Sequence, residues 1–158
     1  MKKKAVIAAA IMLVVVVAAA LVYSRPMTLA EICSEAEIGQ SRSIEVRYFV
    51  APAEDDTIFT IERGDSRIKR IVSAFEEKEF RRSAASLLPR SSSKAAQYED
   101  GDFLWTVMFY VPADDGYKPL TVEDYFGEIE IRYGGRSWIC STDDREEWSE
   151  EVLNILRN

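Results

Sequence analysis

Hydrophobic positions change their period several times along the chain, and each change marks an element. From Ala5 to Val22 there is no period at all: the run holds no charged or strongly polar side chain and is preceded by Lys2, Lys3 and Lys4. As a helix it would extend about 27 Å at about 1.5 Å per residue, close to the roughly 30 Å hydrocarbon core of a bilayer. Its Ile11–Val17 stretch is rich in β-branched residues, which weaken a helix in water but matter less in lipid, where the backbone must bond to itself. Three lysines before the run and only Arg25 close behind it place the N-terminus inside and the remainder outside. Residues 1–24 therefore read as a single-pass signal-anchor in the cytoplasmic membrane, with the C-terminal domain outside. The alternative is a secreted domain released by cleavage near Ala18-Ala19-Ala20 or Val22-Tyr23-Ser24, although the run exceeds the usual apolar region of about 7–15 residues. Cys33 lies too far beyond the run for lipoprotein processing.

Residues 25–42 read as a tether with one short helical turn, since Thr28-Leu29-Ala30-Glu31 has the spacing of a capping box. The extracytoplasmic domain proper spans 43–158. Ser43–Val50 and Thr57–Glu62 alternate as strands and form a hairpin. Ile68, Ile71, Val72 and Phe75 then fall at helical spacing behind a cap at Asp65 or Ser66. Glu79–Ser83 reads as a short edge strand, and 84–97 as an irregular loop around Leu87-Leu88-Pro89. Phe103–Val111 is a central strand with two apolar faces: Phe103, Trp105, Val107, Phe109 and Val111 on one, Leu104, Met108 and Tyr110 on the other. Pro112–Pro119 reads as a turn-rich loop. Gly134-Gly135 joins strands 127–133 and 136–141 in a tight hairpin, pairing Ile131 with Trp138 and Ile129 with Cys140. A helix to about Leu156 closes the chain, with Trp148, Val152, Ile155 and Leu156 as its apolar stripe. The order β-β-α-(β)-β-β-β-α predicts an α+β, two-layer sandwich: a mostly antiparallel sheet with two helices on one face.

Composition narrows the function. Beyond residue 24 there are 17 basic residues against 27 acidic ones, a net charge of −10. Such a domain is repelled by nucleic acid, which we exclude as a partner. The charge is uneven: Asp65–Lys94 carries eight basic residues and four acidic ones. The absence of histidine removes the commonest general base and metal ligand, and with it histidine-dependent triads and histidine zinc sites. Cys33 and Cys140 are an even pair in an oxidising compartment; they are either a disulfide or two separate buried thiols.

Candidate chemistry is sparse. Acidic turns occur at Glu54-Asp55-Asp56, Asp114-Asp115, Asp143-Asp144 and Glu99-Asp100-Gly101-Asp102. In the last, Glu99, Asp100 and Asp102 are a weak calcium candidate, too short for an EF-hand loop. Carboxylates from two loops are the only route to a hydrolase, whose separation sequence does not supply. Ser91-Ser92-Ser93-Lys94 is read as ordinary polar loop. Leu104, Met108, Tyr110 and Phe49 on the second sheet face, with Arg81, Arg82 and Arg90 from the basic stretch, are the candidate binding residues. No cofactor is implied.

In its overall organisation the chain resembles small exported or membrane-anchored proteins of Gram-positive, gut-type bacteria. The resemblance rests on the basic start, the apolar run, the Ile68-Ile71-Val72-Phe75 helix, the Leu-Leu-Pro loop, the glycine hairpin around Ile131–Ile139 and the acidic last helix. It implies a bacterial cell-surface location and carries no activity or residue role. The expectation is a non-catalytic binding or accessory domain tethered to the membrane, with a protein, peptide or cell-wall component as partner. The alternatives are a small carboxylate-dependent hydrolase acting on wall or glycan material, and a structural subunit of a membrane complex.

Overall fold

A computed structural model describes residues 2–50, 57–87, 103–125 and 128–157. Helix α1 (Lys2–Tyr23) contains one stretch, Val6–Tyr23, long and apolar enough to cross a membrane, with none of it buried against the domain. A membrane anchor and a signal sequence both meet that description. Ser24 ends α1, its amide and hydroxyl both donating to the Ala20 carbonyl at 2.9 Å.

The domain begins almost at once. Strand β1 (Pro26–Thr28) is followed by α2 (Leu29–Ile32), closed by the expected capping box: Thr28 N–H donates to Glu31 Oε2 at 2.9 Å, and Glu31 N–H to Thr28 Oγ1 at 3.4 Å. Met27, Leu29, Ile32, Cys33, Ala36 and Ile38 are buried in the main core. The segment expected to be a tether is thus built into the fold, because its apolar residues have a core to fill.

The remaining elements are β2 (Ser43–Val50), β3 (Thr57–Glu62), α3 (Ser66–Glu76), β4 (Glu79–Arg82), β5 (Phe103–Ala113), β6 (Gly116–Tyr125), β7 (Glu128–Tyr133), β8 (Arg136–Ser141) and α4 (Arg145–Arg157). They form one antiparallel sheet in the order β1-β4-β8-β7-β6-β5-β2-β3, with α3 and α4 packed on one face. The architecture is the α+β arrangement expected. The Gly134-Gly135 hairpin has the anticipated register, with φ of 58° and 77° at the two glycines.

Two strand assignments change. Pro112–Pro119 is not a loop: β5 runs on to Ala113, Asp114-Asp115 makes a two-residue turn, and β6 returns alongside β5 as far as Trp105. Pro119 is accommodated because β7 pairs with β6 only from Thr121 onward, leaving this stretch bordered by β5 alone. Nor is β4 an edge, since β1 covers one side and β8 the other. Just past β4, Ser86 extends the cover over β8. Its hydroxyl accepts from Ile139 N–H at 2.7 Å and donates to Ile139 O at 3.0 Å, standing in for a strand partner.

Under the helices lies an aromatic cluster. Phe75 meets Trp105, Phe109 and Trp148 edge-on at centroid distances of 5.8, 5.1 and 5.0 Å, and Trp148 meets Trp105 at 5.2 Å and Phe80 at 5.5 Å. Trp148 also donates Nε1–H to the Ala74 carbonyl, tying α4 to α3. At the far end of the pair lies the half-buried Arg67. It chelates Asp65, the cap of α3, and donates to the Leu156 carbonyl of α4. Two charged ends of neighbouring helices are satisfied by one guanidinium.

Candidate binding face

The helices cover one face of the sheet and leave the other free of helices among the described residues. Its composition follows from the register. Outward residues at the centre are Leu104, Thr106, Met108 and Tyr110 of β5, and their direct cross-strand neighbours are Glu45 and Arg47 on β2 and Thr121 and Glu123 on β6. Further along come Glu130 and Arg132 of β7 and Ser137 and Ile139 of β8. Leu104, Met108 and Tyr110 are half-buried, and Phe49 pairs with Leu104 across β2 and β5. The apolar second face expected of β5 is therefore interrupted at its middle, where Thr106 and Met108 have polar neighbours on both sides, and continues at its ends, where Leu104 pairs with Phe49 and Tyr110 with Pro119.

These polar residues are organised. Arg132 Nη2 donates to Glu123 Oε2 at 2.5 Å and its Nη1 lies 3.7 Å from Glu130 Oε2, bridging carboxylates that oppose each other across β6 and β7. Ser137 donates to Glu130 Oε1 at 2.6 Å, and Glu130 is only 6% exposed. A shallow depression of about 640 Å³ beside this network is lined by Thr121, Arg132, Ser137 and the Gly134-Gly135 turn. Sequence reading missed the network because it depends on β6. On the other flank Tyr110 Oη donates to Glu45 at 3.4 Å, and burial with the adjacent Glu45 charge pushes the phenol above its usual range. Arg47 is exposed and has no ion-pair partner among the described residues.

The face runs out at β3, the end of the sheet. β2 holds one side of β3, and no described strand pairs with the other. Ile58 projects on the outer face beside Arg47 and is 54% exposed. Proteins usually guard such an edge with lysine, proline or a bulge; Thr57–Glu62 has neither lysine nor proline and only Glu62 as a charge.

The other candidates fall elsewhere. Arg81 is at the opposite end of the sheet, paired with Asp143 at 3.4 Å, and Arg82 contacts the end of α1. Neither joins the Leu104–Met108–Tyr110 group. Arg90, the calcium candidate Glu99, Asp100 and Asp102, the Glu54-Asp55-Asp56 turn and the Ser91–Lys94 run lie outside the described residues. Asp144 pairs with Lys78, and Asp115 with Lys118 at 3.2 Å, so these acidic turns are spent on local ion pairs. Among the described residues no three His, Cys, Asp or Glu side chains converge on a metal position. Cys33 and Cys140 are buried as free thiols.

Compared with protein-family models, curated proteins and solved structures, the chain finds no match.

Proposed function

We propose that this protein is a membrane-anchored, non-catalytic binding domain that takes an extended peptide segment onto the free edge of β3. The observation that carries the reading is the edge itself: six residues of strand, one unpartnered side among the described residues, and an exposed Ile58 at its outer surface. Strand addition supplies backbone hydrogen bonds for affinity, while side chains at alternate positions of the added strand meet the sheet face and set specificity. On the outer face those contacts would be Ile58, Thr60 and the Arg47–Glu45 row behind them.

The position of the edge suits the role. β3 and β1 are at opposite ends of the eight-stranded sheet, and seven steps of about 4.8 Å separate them by roughly 34 Å. The anchor enters at β1, so the free edge is the part of the sheet furthest from the point of attachment.

The test is selection of extended peptides on the full-length protein in lipid nanodiscs, followed by hydrogen exchange with and without a selected peptide. The expected result is new protection of amides in 57–62, and at least tenfold weaker binding for Ile58→Lys with its thermal unfolding unchanged. Selected peptides that protect other strands and tolerate Ile58→Lys would refute the assignment.

A further inference from the structure

The join between α1 and the domain has a chemistry of its own. Only Ser24 and Arg25 separate the helix from β1, so the first strand starts within a few ångströms of the end of the apolar span. The apolar stretch Val6–Tyr23, 18 residues at about 1.5 Å each, is about 27 Å long and close to the hydrocarbon core, which puts Tyr23 at the headgroup boundary of a membrane it crosses. Tyrosine favours that depth. Over its ring, 4.5 Å from the centroid, sits the guanidinium of Arg82, whose Nε also donates to the Tyr23 carbonyl at 3.3 Å. Arg82 thereby clasps the last turn of α1 through both its π face and its backbone.

The clasp leaves the rest of the guanidinium available. Its two terminal nitrogens have no acceptor among the described residues, whereas its neighbours are engaged: Arg25 with Glu31 at 3.2 Å, Arg81 with Asp143, and Lys78 with Asp144. An arginine held at the hydrocarbon boundary with its N–H fork free matches a phosphate by geometry as well as charge.

We propose that Arg82 binds the phosphate of a membrane phospholipid headgroup while gripping Tyr23, and so fixes the β1–β4 edge of the sheet against the bilayer. This rests on the anchored reading of α1. Its consequence is orientation: two fixed points, the helix end and the lipid-bound guanidinium, stop the domain swivelling about Ser24-Arg25, and the sheet stands with β3 directed away from the surface. Glu31, Asp143 and Asp144 are already paired, while Glu77 and Glu79 nearby have no ion pair among the described residues and disfavour added negative charge, so the guanidinium selects the phosphate group itself and does not require an anionic lipid.

The experiment uses the full-length protein in nanodiscs of phosphatidylcholine, repeated with phosphatidylglycerol added. Intact mass comes first; a chain that begins after Ala20 or Ser24 overturns the anchored reading and this proposal with it. Nitroxide labels are then placed at Glu79→Cys on β4 and, separately, Ile58→Cys on β3, and their depth is read from collision with oxygen and with a water-soluble nickel complex. The expected result is a label at 79 in the headgroup layer and one at 58 in bulk water, in both lipid mixtures. Arg82→Ala should abolish that difference while leaving thermal unfolding of the domain unchanged, and Arg82→Lys should restore it only in part. A retained α1 with labels 79 and 58 equally exposed to nickel, or a depth difference that survives Arg82→Ala, overturns the proposal while leaving the anchor intact. Inorganic phosphate at millimolar concentration that erased the difference would show a free-phosphate site and refute the lipid assignment.

Discussion

Asp124 is the most consequential charge in the fold. It projects from β6 toward the helices, is 1% exposed, and accepts from Arg145 Nε and Nη2 at 3.0 and 2.8 Å and from Ser149 Oγ at 2.8 Å. Both donors belong to α4, so the carboxylate docks that helix on the sheet. Burial pushes its pKa above the usual carboxylate value, and the Arg145 and Ser149 hydrogen bonds recover part of that cost. Arg145→Met strands the carboxylate. Breaking one side of a buried pair costs roughly 3–5 kcal/mol, and because Arg145 is 28% exposed we expect about 3 kcal/mol. For a chain of this size that corresponds to a fall in Tm of roughly 6–12 °C. Urea unfolding of the full-length protein in detergent, followed by tryptophan fluorescence, measures it. The pH dependence adds a second check. A carboxyl whose folded pKa is raised binds more protons in the folded state, so it lowers stability as pH rises from the unfolded value of about 3.9 to the folded one. Removing Arg145 enlarges that loss at neutral pH, and acidification toward pH 4 should shrink it. The double variant Asp124→Leu/Arg145→Met should recover most of the stability, since replacing both partners by apolar groups removes the stranded charge. A cost below about 1 kcal/mol for Arg145→Met, or one that persists undiminished at low pH, would refute this account.

A second pH effect has the opposite sign. Asp65 is held down to about 2, first by the Arg67 side chain and then by the Arg67 backbone N–H, so its contribution is complete above its ordinary value of 3.8 and is lost as pH falls toward 2. Asp65→Asn should flatten the acid limb of the stability curve in that window; an unchanged limb would show that the cap contributes nothing. Burial raises both Cys33 and Cys140 to about 12. Neither should react with iodoacetamide at neutral pH in the folded protein, and both should react in urea without reductant. Two unreactive residues in urea, with an intact mass lower by two hydrogens, would instead demonstrate a disulfide.

What sequence reading recovered, and what it lost, divides by the range of the interaction that decides each element. The α3 helix, the β2–β3 pair and the glycine hairpin are encoded by local period and turn chemistry, and their registers follow from them. β1 and β6 are decided elsewhere. Pro26-Met27-Thr28 has no strand signature in three residues; it is a strand because Phe80 and Arg81 offer it a partner, and because Met27 fills the core there. β6 contains Lys118, Pro119, Glu123 and Asp124, which argue against a strand one at a time. Each is explained by position: Lys118 and Pro119 lie where β7 has stopped pairing, Glu123 meets Arg132 on the outer face, and Asp124 meets Arg145 beneath the helix. The description of the candidate face depends on the same strand. With Pro112–Pro119 read as a loop and 120–126 unassigned, β5 has no neighbour on that side and its second face looks apolar. With β6 in place, Met108 sits opposite Thr121 and Thr106 opposite Glu123, so polar side chains enter the face, whose exposed apolar residues, among those described, are Pro112, Tyr117 and Pro119 at the β5–β6 turn and Ile58 on β3. The character of a central strand's outward side is thus set by its neighbours as well as by its own alternation.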